Sequence, residues 1–204
     1  MSAVSKKGET QYTLEEYWAL EEKAEGKSEF YNGIIWAMSG GSLNHSAISS
    51  NTITALHNAV RAKGKKCRVM NSDLKVKIDK YNCVYFPDVM VICGDASYEE
   101  NRTDTIKNPI LIIEVLSPST ADFDRGTKFN RYRSLAYLQE YVLISQDKPK
   151  VEIWYREEKN LWRISNAIGL EAKFFLHSID CEISLADIYY LIDDLEDVQL
   201  ELDL

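Results

Sequence analysis

Two stretches of this chain are apolar almost from end to end, yet each holds a single carboxylate. Residues 84–93, VYFPDVMVIC, carry Asp88, and residues 108–116, NPILIIEVL, carry Glu114. Short runs of this kind read as strands covered on both faces of a sheet. An acid placed in such a strand costs several kcal/mol unless it is paired, protonated or coordinated. These two positions therefore predict a sheet packed between helices and mark where chemistry can sit in it.

The neighbouring segments fit that frame. Thr13 and Glu16 spell a capping box for a short helix beginning YTLEEYW. Asn32-Gly33, between SEFY and IIWAM, is a hairpin signal, because both central turn positions favour positive φ. From Asn44 to about Lys63, apolar residues recur at helical spacing and Gly64 supplies the stop. CRVMNSDLKVKI (67–78) then reads as one strand, followed by the two apolar strands. SPST offers Ser119 and Thr120 as caps for a helix over about Asp124 to Leu138. EYVLIS, KVEIWYRE and LWRISNA read as further strands, and SLADIYYLI as a closing helix. The central order is helix, strand, strand, strand, helix, strand, which predicts an α/β (α+β) domain with a mixed sheet flanked by helices. At 204 residues one domain spanning 1–204 is expected, with residues 1–10 flexible and 193–204 forming an acidic tail.

The formal charge of −8 argues at first against a nucleic-acid ligand. However, DDLEDVQLELDL (193–204) holds six acids and no base, so the body of the chain is nearly neutral. Within it, Arg61, Lys63, Lys65, Lys66 and Arg68 cluster in one segment, and Arg125, Lys128, Arg131 and Arg133 in another. Either cluster is also what a solvated helix face looks like. The start, MSAVSKKGET, has no apolar segment behind its lysines, and no run is long enough to span a bilayer, so a cytoplasmic protein is expected. Cys67, Cys83, Cys93 and Cys181 have neither zinc-site spacing nor the density of a disulfide scaffold, and reduced, packed thiols are expected.

If neighbouring strands bring Asp88 and Glu114 together, a divalent cation relieves their repulsion. Hard oxygen donors suit Mg²⁺ or Mn²⁺, which also accept phosphate oxygens and lower the pKa of an attacking water. That is the physical case for phosphodiester hydrolysis. The alternative is a structural role, with each acid satisfied by backbone amides or an arginine.

Pro87-Asp88, followed by Glu114-Val115-Leu116, resembles the Pro-Asp…(Asp/Glu)-X-Lys signature of the restriction-endonuclease-like superfamily. More narrowly, YTLEEYWAL, EFYNGIIWAMSG with NHSAIS, FPDVMVI, IIEVLSPST and KFNRYRSLAYLQEYVLI, in that order, resemble the Uma-two family of endonucleases. The resemblance covers about Tyr12 to Ile144 and extends to SLADIY near the end. It implies a restriction-endonuclease-like fold and a Mg²⁺-dependent endonuclease acting on DNA.

One departure matters, since Leu116 stands where the superfamily has its lysine. The narrower resemblance implies that Lys128, on the following helix, takes that role. The catalytic set is then Asp88, Glu114 and Lys128, with the Val115 backbone carbonyl as a further metal ligand. The same resemblance brings in Glu29 as an additional ligand, His45 as a phosphate contact and Asp73 as a supporting residue. Tyr132, one turn beyond Lys128, is expected to orient that lysine. Asp122 and Asp124 are read as favouring the helix N-terminus through its dipole. A symmetric homodimer is expected for cutting two strands. The competing readings are a nuclease-fold module that binds nucleic acid or protein without cleaving, and a different metal-dependent hydrolase on the same scaffold.

Overall fold

Residues 11–197 are described by the computed structural model. The expected flexible start, residues 1–10, and the last seven residues of the acidic tail lie outside the described residues. Thr13 opens helix α1 (Leu14–Glu21) with the anticipated capping box: its hydroxyl accepts the Glu16 N–H at 3.1 Å, and the Glu16 carboxylate accepts the Thr13 N–H at 2.7 Å. Strands β1 (Ser28–Tyr31) and β2 (Ile34–Ala37) form the hairpin, with Asn32 at φ 44° and Gly33 at φ 93°. Helix α2 (Leu43–Ala62) ends at Gly64, φ 63°. There the Lys65 N–H reaches the Val60 carbonyl at 2.9 Å and the Gly64 N–H reaches that of Arg61 at 3.1 Å, a Schellman closure.

Two expected strands are each broken in two. Residues 67–78 form β3 (Cys67–Asn71) and β4 (Lys75–Ile78), which belong to different sheets. Asn71 and Asp73 exchange side-chain hydrogen bonds, 2.9 and 3.2 Å, that turn the chain between them. Residues 84–93 likewise split between β5 (Cys83–Tyr85) and β6 (Val89–Cys93). Pro87 sits at that break, because it has no N–H to give a ladder.

The chain continues through β7 (Thr105–Ile106) and β8 (Leu111–Leu116) to a helical segment that differs from expectation. It comprises α3 (Ala121–Phe123), a π turn (Asp124–Lys128) and α4 (Phe129–Tyr132), and it stops well short of Leu138. Ser134 hydrogen-bonds back to the Arg131 carbonyl, and Arg156 takes the carbonyls of Arg133 and Leu135, so these groups are satisfied outside a helix. Thr120 flanks α3 but makes no capping bond, its hydroxyl meeting Ser117 and Asp124 instead. Strands β9 (Glu140–Ser145), β10 (Lys150–Arg156) and β11 (Trp162–Ile168) follow as expected. The hairpin β12 (Lys173–Leu176) and β13 (Cys181–Ser184) was not anticipated, and α5 (Leu185–Ile188) is a single turn.

The six-stranded sheet runs β11-β10-β9-β8-β6-β3, and the second sheet β2-β1-β5-β4-β7. Only β8 and β9 are parallel in the first, joined by the helical segment. Alternation along the central strands divides the core. Val89, Val91, Ile113 and Val115 pack with Ile48 and Leu56 of α2, while Met90, Ile112 and Leu143 face Tyr85, Phe129 and Tyr132. Both faces of the sheet are thus covered, as the apolar runs required.

The cysteine expectation is half corrected. The register of β3 against β6 sets Cys67 across from Cys93, with Cα atoms 4.0 Å apart, and the two are joined as a disulfide. A separation of 26 residues gave no local sign of this pairing. Cys83 and Cys181 are free and buried. Among the described residues, no helix is long and apolar enough to cross a membrane.

Candidate active site

The pairing of β6 with β8 ends at Val89 opposite Ile113. Asp88 lies in the bend just before β6, partly buried rather than inside the strand expected for it, and near enough to Glu114 for its charge to act on that carboxyl. The Val115 N–H, freed where β6 stops pairing, donates to Asp88 Oδ2 at 2.7 Å. His45 approaches the same oxygen from the N-terminus of α2, its Nε2 lying 3.3 Å away. The imidazole also bonds the Val115 backbone. Its hydrogen bond to Asp88 raises the His45 pKa, and burial opposes that rise without cancelling it. Gly41 is the residue that leaves room for this ring, since a Cβ there would stand 2.8 Å from His45 Nδ1.

Glu114 is buried, with 3% of its surface exposed. Lys128, at 6%, is buried as well, and this rules out a solvated helix face for its ammonium. Its Nζ lies 2.9 Å from Glu114, 3.5 Å from Glu29 and 3.7 Å from Asp124. Glu29 reaches the cluster from β1 and accepts the Phe86 N–H, so the hairpin is tied to the break before Pro87. Asp124 and Lys128 are both buried members of the π turn, a helix irregularity found often at functional sites.

Charge here is unbalanced, with three carboxylates facing one ammonium and Asp88 beside them. Burial pushes the Glu114 pKa well up, and the charges of Asp88 and Asp124 add to the shift against the opposing pull of Lys128. For Lys128, burial works against the charged form, but Glu114, Glu29 and Asp124 more than offset it and hold the ammonium above the ordinary lysine range. The two shifts differ in origin: burial alone favours the neutral carboxyl of Glu114, whereas the surrounding carboxylates hold the charge on Lys128 against burial. Tyr132 is fully enclosed beside it, and its hydroxyl has no hydrogen-bond partner among the described residues.

An ion fits this donor set in chemistry, with hard oxygens, excess negative charge and an orphaned buried hydroxyl. Among the described residues no three His, Cys, Asp or Glu side chains are arranged to hold a metal. Asp88, Glu114 and the Val115 carbonyl would therefore supply a partial shell that water completes, as Mg²⁺ commonly requires.

The sequence profile of the Uma2 family, described as "Putative restriction endonuclease", matches residues 14–181. The chain belongs to the Uma2 family. It is 39% identical over 155 residues to Uncharacterized protein slr1290 of Synechocystis sp., covering 74% of this chain and 78% of that protein. To Uncharacterized protein sll1609 of the same organism it is 35% identical over 161 residues, 79% and 90% of the two chains. A crystal structure from Anabaena variabilis, described as "a putative nuclease belonging to DUF820", superposes with a TM-score of 0.70 at 21% identity, covering 87% of this chain and 97% of that one. The fold of this Uma2 member is restriction-endonuclease-like: in the six-stranded sheet α2, β3, β6, β8, the helical segment and β9 follow the anticipated αβββαβ order.

Of the residues singled out from the sequence of this Uma2 protein, Glu29, His45, Asp88, Glu114, Lys128 and Tyr132 gather at one place. Asp73 does not join them, lying in the β3–β4 turn where it pairs with Lys27 at 2.9 Å. Asp124 is the group that sequence reasoning missed by assigning it to the helix dipole. Its spacing of four residues before Lys128 was the available signal.

Proposed function

We propose that this protein is a Mg²⁺- or Mn²⁺-dependent endonuclease that hydrolyses phosphodiester bonds in DNA. The observation that supports this most is the convergence of Glu29, Glu114 and Asp124 on one buried lysine, with the charge of Asp88 acting on Glu114. Asp88, Glu114 and the Val115 carbonyl would hold the ion, which polarises phosphate oxygens and acidifies a bound water when present.

The rest of the chemistry falls to the chain itself. Lys128, held 2.9 Å from Glu114, would orient the nucleophile and offset charge on the pentacoordinate phosphorus, replacing the lysine absent at Leu116. Glu29 and Asp124 keep that ammonium charged and fix its position. His45, held against Asp88, is the group next to the ligand carboxylate from which a phosphate contact can be made. The non-cleaving alternative drew its strength from Leu116 and from the acidic tail, and the burial of Lys128 beside Glu114 weakens the first of these grounds.

Cleavage of plasmid, linear and branched DNA, and of RNA, tests the reading in Mg²⁺, Mn²⁺ and EDTA, alongside Asp88→Ala and Glu114→Ala. Activity in the wild type, absent from both variants and in EDTA, is the expected result. Equal activity in all three proteins would sink the mechanism. A symmetric homodimer, with one such site per subunit, is part of the proposal and is checked by sedimentation.

A further inference from the structure

The hairpin that delivers Glu29 also presents two aromatic rings beside it. The register pairs Glu29 with Trp36 and Tyr31 with Ile34, so Glu29, Tyr31 and Trp36 share one face of the hairpin. The other face, with Phe30 and Ile35, packs on Tyr17. The Tyr31 and Trp36 rings lie nearly parallel, 11° apart in plane with centroids separated by 6.2 Å. The guanidinium of Arg131 sits 3.4 Å from the Tyr31 centroid and donates to the Tyr85 hydroxyl. Tyr31 thus lies against the Arg131 guanidinium and near-parallel to Trp36, whose register partner Glu29 touches Lys128.

Two features distinguish this stack from ordinary core packing. Tyr31, Trp36 and Arg131 are all only partly buried, and neither the Tyr31 hydroxyl nor the Trp36 indole N–H is among the enclosed polar atoms left without a partner. Arg131 also pairs with no carboxylate among the described residues, whereas its neighbour Arg125 is bound to Glu152 at 2.9 Å. A flat π surface flanked by an uncompensated cation fits a planar group carried on an anionic backbone. A nucleobase with its phosphate has that chemistry, and it can reach the ring only when unpaired, since bases inside a duplex are stacked on each other.

We propose that Trp36, backed by Tyr31 and Arg131, is a stacking platform for an unpaired nucleobase of a DNA strand entering the site, with Arg131 facing the adjoining phosphate. The proposal rests on the nuclease reading and sharpens it: the preferred substrate has a single-stranded segment.

The test is binding of the full-length chain, in EDTA, to three fluorescein-labelled probes of roughly 12 nucleotides, within the footprint single-strand sites cover. These are a thymidine strand, an abasic strand of the same length, and a duplex. The wild type is expected to bind the thymidine strand about tenfold more tightly than the abasic one, the effect of a stacked base. Trp36→Leu should lose about that factor on the thymidine strand and nothing on the abasic strand, and Trp36→Phe should recover most of it. Unchanged affinity of Trp36→Leu for the thymidine strand, or an equal loss on both strands, overturns the platform. Should Trp36→Leu fail to fold, the wild type alone decides, because equal binding of thymidine and abasic strands also overturns it. Failure here leaves a nuclease acting on duplex DNA, whereas failure of the nuclease reading appears separately, as cleavage unaffected by Asp88→Ala and Glu114→Ala.

Discussion

Two buried lysines in this protein sit among carboxylates, and they are built to opposite ends. Lys75, 3% exposed, meets Glu21 at 3.1 Å and Asp104 at 2.5 Å, while Arg102 grips Asp104 through two bonds of 2.8 Å and stacks on Trp18. Arg102 also holds the exposed Glu22 at 3.0 Å, so two cations serve two enclosed acids and one in solvent, and the cluster clamps α1 to the sheet that contains β4. Lys128 meets three acids alone, with a fourth nearby. A balanced cluster satisfies its own charges and does structural work. Under the proposed function the unbalanced one would take up a cation, the surrounding core holding its acids together at a cost in stability.

The largest expected effect is on the balanced side. Lys75→Met strips Glu21 and Asp104 of a buried partner and should lower unfolding stability by about 3–5 kcal/mol, measured by urea denaturation. A loss under about 1 kcal/mol would mean that this cluster is no clamp. On the unbalanced side the signs should differ. Glu114→Gln should slow cleavage by about 10²- to 10³-fold, the scale of removing one preorganised charge, while the same denaturation shows no loss of stability or a gain. A clear destabilisation would place Glu114 with the structural acids. Adding Mg²⁺ should stabilise the wild type by linkage, by about 2.7 kcal/mol at a hundredfold excess over Kd, seen as a higher thermal midpoint, and leave Asp88→Ala where it was. An equal rise in both proteins would locate the ion elsewhere.

The smallest effect expected is acid titration of the clamp. The Arg102 hydrogen bonds hold the Asp104 pKa well below the aspartate range, with burial opposing and Lys75 assisting. A depressed folded pKa means that this contribution is present above the unfolded aspartate pKa and is lost as pH falls through the folded one. Asp104→Asn should therefore melt lower than wild type near neutrality, by about 3 °C, and the gap should close in strong acid. A gap independent of pH would assign the effect to packing.

Much of the site was legible because burial leaves a mark in sequence. Asp88 and Glu114 stood out as acids in strands that otherwise admit none, and the Asn32-Gly33 turn and Thr13 capping box follow from local φ preferences and hydrogen bonds. Lys128 was reached through family resemblance, since nothing around it distinguishes a buried lysine from a solvated one. Asp124 was misread because an acid at a helix start has a simpler explanation, and the π turn that buries it has no pattern of its own. The breaks inside residues 67–78 and 84–93 were missed for a related reason. A strand that changes sheets keeps its apolar content, and only the Asn71–Asp73 turn and Pro87 betray the change.

By itself, then, the sequence determined which segments must be buried, and hence that Glu114 lies inside a sheet flanked by helices, whereas the fold sets Asp88 in the bend before β6. Periodicity and transfer free energy act on each segment separately, so no partner need be known. What only the tertiary structure decided is the company those acids keep: Lys128 and Asp124 from a π turn, Glu29 from a hairpin, His45 from the far side of the sheet, and Cys67 against Cys93. Each of these contacts depends on strand register and helix geometry, where a shift of one residue turns a side chain to the opposite face. The excess of acid over base at Lys128 is therefore a property of the assembled fold.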